Sequence, residues 1–420
     1  MKPEKSLVEG LNRRDLMKFL GVGGVTAALG TLNLPAQAQT QRIFAKDDSK
    51  LLNIGATVRS ANWWEFTSYI TPVDRFFIRS RYPVPTVDLK AWRLKVHGDG
   101  VSKPFELTYD DLLKLPSRRA IRYLECNGNG RTLYWEQLNM NVRGGNWGLG
   151  AVSQGEWEYV PIGEILDRAG LKPEAREVLF WSGIDGPDTG RPLPISEVLN
   201  RPEEIGIAFG MNGDPLTPDH GFPARALVPG WGGAASTKWI TEIKVSTNRF
   251  WVRMNTREEA DIGPDYPVER PGPNDEFRAA TPEDIKGVMA RRQNVKSFLT
   301  LPLTLNKSRP PANYPLAVGE RPKISAGQQL MRGYAHSPFG IRQVLYRIDG
   351  GRWIPATLVP PNLGGVSWVR FEFTWQASRG VHVLETRAVD RAGNMQPFVV
   401  PFNELGHMNN VVPRFEVEVV

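Results

Sequence analysis

The chain has 420 residues, 41% of them hydrophobic and 23% charged, which is enough to bury a sizeable core and suggests two or three domains. Thirteen Trp, 41 Gly and 34 Pro point to short strands joined by many turns. The formal charge is +7, yet there is no run of five or six basic residues and no nucleic-acid motif. Nucleic acid is therefore excluded as the expected partner, and the excess is read as attraction for an anion or steering of a protein partner.

Residues 1–38 read as an export leader. Asn12-Arg13-Arg14-Asp15-Leu16-Met17-Lys18 precedes an apolar run from Phe19 to Leu34, and Ala36-Gln37-Ala38 offers a small-residue cleavage site. That run is rich in Gly and Ala and falls short of the roughly 20 apolar residues a membrane span needs, so a cleaved twin-arginine signal is expected rather than an anchor. The competing reading is an ordinary amphipathic first helix that happens to carry Arg13 and Arg14. The twin-arginine route delivers folded proteins to the periplasm, and folding before export suits a chain that takes up a cofactor in the cytoplasm. No other segment is apolar enough to cross a bilayer, so no membrane association is expected after cleavage.

Between residues 39 and 256 the pattern is mixed, α+β. Trp92-Arg93-Leu94-Lys95-Val96-His97-Gly98 alternates as a half-buried strand does. Thr108 caps a helical stretch running to Leu115, and Pro161 to Gly170 reads as a second short helix closed by glycine. Residues 257–293 are Pro-rich and charged, as a linker or surface-hugging arm would be. From 294 to 420 strand signals recur at 295–301, 329–334, 341–349, 366–375, 380–389 and 414–420, with Asp349-Gly350-Gly351 as a hairpin turn. Strands of that length and spacing predict an immunoglobulin-like β-sandwich, on pattern alone, since the Cys pair of an antibody domain is absent.

Two segments carry chemistry. Cys126, the single cysteine, follows an apparent strand at 120–124 and precedes Asn127-Gly128-Asn129-Gly130-Arg131, a loop able to aim main-chain N–H groups at an anion. With no internal disulfide partner, the thiol is inert, an intermolecular handle or a ligand, and Arg131 nearby favours the thiolate a metal needs. The second segment, Asp219 to Trp239, spaces His220, Arg225 and Lys238 along a Pro- and Gly-rich loop. Guanidinium clamps phosphate through two hydrogen bonds and lysine adds a point charge, so the set reads as an anion cradle, against the alternative of a satisfied loop histidine with two solvated cations.

Together with Phe76-Phe77-Ile78-Arg79-Ser80-Arg81 and Trp147-Gly148-Leu149-Gly150-Ala151-Val152-Ser153, these segments resemble the sulfite oxidase family of molybdenum enzymes. The resemblance covers nearly all the chain after the leader. It implies a mixed α/β molybdopterin-binding catalytic domain over residues 39–256, the arm at 257–293, and an immunoglobulin-like dimerisation domain at 294–420. By the same resemblance Cys126 supplies the thiolate ligand to molybdenum. Phe77, Ile78, Arg79, Ser80, Arg81, Asp185, His220, Arg225, Ser236, Thr237 and Lys238 hold the pterin and its phosphate. Arg79, Arg131 and Trp147 form the oxyanion pocket.

The implied reaction is oxidation of sulfite or a related reduced sulfur compound by oxygen-atom transfer from Mo(VI). Fixed positive charge in a secluded site suits such an anion. Two positions depart from the family pattern. Residues 255–266 offer no tyrosine before Tyr266 where vertebrate-type members carry a catalytic one, and Leu405 stands where they carry a pocket arginine, with His407 nearby to substitute.

One cysteine cannot attach a c-type haem or a Cys-ligated cluster, and no b5-type segment precedes the pterin region, so no haem is expected in this chain. Electrons are expected to leave to a periplasmic c-type cytochrome, with the chain as a homodimer or paired with a cytochrome subunit. Three alternatives stay open beside the sulfite reading. They are a sulfane dehydrogenase molybdenum subunit acting on sulfur held by a carrier protein, a methionine-sulfoxide-type reductase, and an exported binding protein with a vestigial site.

Overall fold

Local chemistry explains the first elements. The strand Leu94–His97 buries Leu94 and Val96 and exposes Lys95, the alternation its sequence predicts. The helix Tyr109–Lys114 starts where Thr108 accepts a hydrogen bond from the Asp111 N–H while the Asp111 carboxylate accepts one from the Thr108 N–H, a reciprocal cap. The helix Ile162–Ala169 turns Ile162, Ile165, Leu166 and Ala169 inward and ends at Gly170, whose φ of 65° fits the left-handed cap.

The computed structural model describes residues 45–183 and 189–420, and the export leader and Asp185 lie outside those residues. In chain order the first elements are β1 (Leu51–Gly55), β2 (Val58–Ala61), β3 (Ile78–Arg79), β4 (Leu94–His97), β5 (Phe105–Leu107), α1 (Tyr109–Lys114), β6 (Arg118–Glu125) and α2 (Thr132–Glu136). There follow β7 (Val152–Pro161), α3 (Ile162–Ala169), β8 (Glu177–Trp181), β9 (Gly190–Pro194), α4 (Ile195–Asn200), β10 (Gly206–Met211), β11 (Asp214–Pro215), β12 (Arg225–Leu227) and β13 (Glu242–Ser246). Two sheets organise this part. One runs β11-β10-β7-β6, with β12 on β10, and the other runs β5-β4-β13-β8-β9.

Residues 257–293 are not a bare linker. After β14 (Phe250–Val252) they contribute β15 (Ala260–Asp261), β16 (Glu276–Arg278) and β17 (Val288–Met289), and β16 pairs in parallel with β14 while β17 pairs antiparallel with β15. Short extended pieces between prolines satisfy their backbone groups by zipping onto the neighbouring body.

Every strand signal after residue 294 corresponds to an observed strand. These are β18 (Lys296–Leu299), β20 (Gly327–His336), β21 (Ile341–Ile348), β24 (Val369–Ala377), β25 (Gly380–Asp390) and β26 (Arg414–Val419), with the minor strands β19 (Lys323–Ile324), β22 (Ile354–Pro355) and β23 (Thr357–Val359) at the margins. They form two sheets, β18-β20-β24-β23 and β19-β26-β25-β21-β22. The cluster beneath them joins Phe298, Trp368, Phe371 and Phe415 to Leu52, Trp63, Tyr123 and Leu149 from the first half of the chain, so the two halves share one core.

The expectation of a mixed α/β first part needs correction. The described residues are mostly β, and the four α-helices are five to eight residues long. Pro116, Gly170 and Pro202 follow closely on three of the four helices and help to stop them after one or two turns.

Candidate functional site

The ends of β3, β6 and β12 and the loop from Asp219 to Lys238 converge on one cavity of about 100 Å³. Its lining includes Phe77, Ile78, Arg79, Ser80, Arg81, Cys126, His220, Arg225, Ser236, Thr237 and Lys238, so every described residue assigned to the cofactor is brought together. Thr189 and Gly190, just past Asp185, line it too.

The cradle is cationic and enclosed. The Arg225 guanidinium donates to the carbonyls of His220 at 3.0 Å, Ser236 at 2.7 Å and Ala226 at 3.4 Å, and burial without a carboxylate pulls its pKa down to about 9. Lys238 Nζ donates to Ser80 Oγ at 2.5 Å and to the Asp219 carbonyl at 2.9 Å. His220 is fully buried, and burial together with Lys46, Lys238 and Arg225 holds it well below the usual imidazole range, so it is neutral. The loop is stapled to itself, with the Val228 N–H donating to Ser236 Oγ at 3.0 Å and the Ala226 N–H to the Thr237 carbonyl at 2.8 Å.

A second cavity opens beside the first and shares Arg79, Ser80, Arg81, Cys126 and Glu259 with it. Arg131, Trp147, Leu405 and His407 complete its wall, so the three residues assigned to the oxyanion pocket meet there. Arg131 is held rigidly, its Nε donating to the Leu405 carbonyl at 2.7 Å and an Nη to the Gly145 carbonyl at 3.1 Å. Gly128 and Gly144 allow its entry, since a Cβ on either would lie 2.5 to 2.7 Å from the guanidinium.

Cys126 stands where the cavities meet, and its N–H donates to the Ala151 carbonyl at 2.9 Å. The expected activation by Arg131 is present but outweighed. Burial first, then the Glu259 charge, push the thiol up, against the lowering pull of Arg79, the Gly128 N–H and Arg131. A bound metal ion would reverse this by deprotonating the thiol outright. His407 does not replace a pocket arginine, because burial holds its pKa at about 4 and it is uncharged near neutrality.

The residues present fit a molybdenum–pterin group. Buried cations held mainly by backbone carbonyls call for an anion such as the pterin phosphate at one end, and one thiol stands at the other. Among the described residues no group of three His, Cys, Asp or Glu could hold a metal by itself, so the remaining ligands would come from the cofactor.

Some participants carried no local sequence signal. Glu259 lines both cavities, its Oε2 accepting from Asn127 Nδ2 at 2.9 Å and lying 3.8 Å from His407 Nε2. Lys46 donates to the carbonyls of Val73 at 2.6 Å and Phe76 at 2.7 Å, lies 3.2 Å from His220 Nε2, and is pulled down to about 8 by burial. Asp219 accepts the N–H groups of Ala45 and Lys46, and its place beside His220 was the one available hint.

Residues 81–252 match the family described as oxidoreductase molybdopterin binding domain. The chain is 29% identical over 379 residues to nitrate reductase [NADH] of Ulva prolifera, covering 83% of this chain and 40% of the relative. It is 28% identical over 374 residues to mitochondrial sulfite oxidase of Rattus norvegicus, covering 84% and 62%, and 28% identical over 366 residues to sulfite oxidase of Arabidopsis thaliana, covering 79% and 83%. The chain thus spans less than two thirds of each of the first two relatives, 40% and 62%. The fold matches the crystal structure of the sulfane dehydrogenase SoxCD from Paracoccus pantotrophus with a TM-score of 0.68 over 86% of each chain, at 23% identity.

Proposed function

Because this chain belongs to the sulfite oxidase family of molybdopterin enzymes, we propose that it is an oxidoreductase that oxidises a reduced sulfur compound at a molybdenum cofactor held by Cys126. The observation that carries the reading is the meeting of a cationic cofactor cavity and an arginine-walled cavity at a single thiol. When bound, the cofactor supplies two-electron, oxygen-atom chemistry. Arg225, Lys238, Ser236 and Thr237 would hold the pterin phosphate, while Phe77 to Arg81 would line its other side. Arg131, fixed by two carbonyls, and Arg79 orient an incoming anion without reorganising, and Trp147 helps to exclude water.

Sulfite is the first substrate of this reading. A second reading, a sulfane or other less anionic sulfur substrate, is favoured by Leu405, the uncharged His407 and the Glu259 carboxylate. The proposed setting is the periplasm, reached by the twin-arginine route, with an external c-type cytochrome as acceptor. The two C-terminal sheets serve in it as an immunoglobulin-like dimerisation domain, and residues 39–256 as the catalytic domain.

The test is metal analysis of the purified protein beside Cys126→Ser, followed by sulfite-dependent reduction of a one-electron acceptor. Molybdenum with sulfite turnover in the wild type, both lost in the variant, is the expected result. Molybdenum without sulfite turnover favours the second reading, and a wild type without molybdenum defeats both.

A further inference from the structure

The first described residues are laid over Asp219 in the wall of the cofactor cavity. Asp219 is fully buried, and its carboxylate accepts the Ala45 N–H on Oδ1 at 3.0 Å and the Lys46 N–H on Oδ2 at 2.7 Å. Both oxygens are thus capped by the main chain of a segment more than 170 residues away. The segment is held again downstream, where Arg59 of β2 pairs with Asp48 and the Leu51 N–H donates to the Asp48 carbonyl at 3.0 Å. Ala45 and Asp47 are exposed, so this covering is thin.

Lys46 completes the attachment. An ammonium carries three N–H donors and no acceptor. Lys46 Nζ meets three acceptors, the carbonyls of Val73 and Phe76 and the Nε2 of the neutral His220. Phe76 and His220 both line the cavity, so the segment braces its wall from behind. Because the ammonium can only donate, His220 Nε2 accepts and the single ring proton sits on Nδ1.

Undocking would strip a buried carboxylate of both N–H donors, at a cost that falls on the cavity wall. Lys238 Nζ already reaches the Asp219 carbonyl at 2.9 Å, so a cation of the cradle is at hand to answer the uncapped carboxylate.

We infer that residues 45–48 are a strap whose docking is coupled to cofactor binding through Asp219 and His220, with Lys46 as the positioning residue. Docked, the strap keeps the Asp219 carboxylate turned to its own N–H groups, leaves Lys238 and Arg225 to the anionic end of the cofactor, and places a third cation behind His220. Loading and docking then strengthen each other by the same factor. The inference rests on the cofactor reading of this cavity and is independent of which sulfur compound is oxidised.

Hydrogen exchange at Ala45 and Lys46 is expected to be at least tenfold slower in the molybdenum-loaded protein than in the cofactor-free protein, and inorganic phosphate added to the cofactor-free protein is expected to slow it in the same direction. Lys46→Met, and Ala45→Pro, which removes one donor at an exposed position, are expected to lose molybdenum at least tenfold faster on dialysis. Lys46→Arg, which keeps the cation, is expected to restore most of that retention. A purely structural strap would lower thermal stability without separating loaded from cofactor-free exchange. Equal strap exchange in loaded, phosphate-bound and cofactor-free protein, or wild-type retention of molybdenum in both Lys46→Met and Ala45→Pro, overturns the inference. A loaded enzyme that oxidises no sulfur compound defeats the sulfur reading and leaves both readouts in place. With a wild type that takes up no molybdenum, slowed exchange in phosphate supports the strap and unchanged exchange overturns it.

Discussion

Directly behind the Cys126 loop, Lys296 Nζ donates to Glu125 Oε1 at 2.6 Å and to the Asn129 carbonyl at 3.1 Å, with exposures of 6% and 0% for the two charged side chains. Lys296→Met keeps the length of the side chain and removes the charge. The carboxylate then stands in the core with Asn129 Nδ2 at 2.8 Å as its remaining donor, since His336, 3.7 Å away, is held at about 4 by burial and stays neutral. Glu125 Oε2 and both His336 ring nitrogens already lack hydrogen-bond partners among the described residues, so no local group can take over.

Breaking such a pair from one side costs roughly 3 to 5 kcal/mol. At about 2 °C per kcal/mol for a large domain this lowers Tm by about 6 to 10 °C. Differential scanning calorimetry of the wild type, Lys296→Met, Glu125→Gln and the double variant completes a cycle, and the double variant is expected to regain about half of the loss because no charge is left unpaired. A Lys296→Met variant within about 1 kcal/mol of the wild type would refute the view that Glu125 is a charge held by this lysine.

Arg225→Met removes a buried cation that only carbonyls satisfy, so the cofactor-free protein is expected to gain stability by about 1 kcal/mol while molybdenum content falls; thermal unfolding and metal analysis check the two together. Thr108→Ala removes the cap of α1 and is expected to cost about 1 kcal/mol, read as a shift in Tm with unchanged metal content. Acid stability follows from His336 and His407, both held at about 4 against 6.5. Below pH 6.5 the unfolded chain binds protons that the folded imidazoles refuse, so each group's contribution, up to about 3 kcal/mol, is present above 6.5 and lost as pH falls through 4. Asp261, raised to about 6 from 3.8 chiefly by burial, works in the opposite sense over pH 6 to 3.8 and offsets about 3 kcal/mol. His220, likewise held well below the usual imidazole range, adds to the loss, so the net expectation is a loss of at least about 3 kcal/mol between pH 6.5 and 4 in urea unfolding of the cofactor-free protein, and stability that holds or rises over that range contradicts it.

Residues that act through their neighbours in sequence were legible before the structure. Thr108 and Asp111 cap their helix three positions apart, Gly170 closes the next one, and the alternating runs after residue 294 became strands. His220, Arg225 and Lys238 lie within nineteen residues and their cradle could be read as a unit. Glu259, Lys46 and the Glu125–Lys296–His336 cluster were not legible, because their meaning lies in partners more than a hundred residues away. The Pro-rich stretch read as an arm also hid pairing strands, since two- and three-residue strands carry too few positions for any period to show.

The wall around Cys126 draws on Phe77 to Arg81 toward one end of the described chain and on Leu405 and His407 at the other, and the Met408 N–H donates to the Asn127 carbonyl at 2.8 Å. Such long sequence separations place closure of the site late in folding, after the C-terminal strands have paired. A nascent chain that has only emerged through β14 would present the cationic loop without the floor that positions the thiol. Cofactor capture would then be an event of the finished polypeptide.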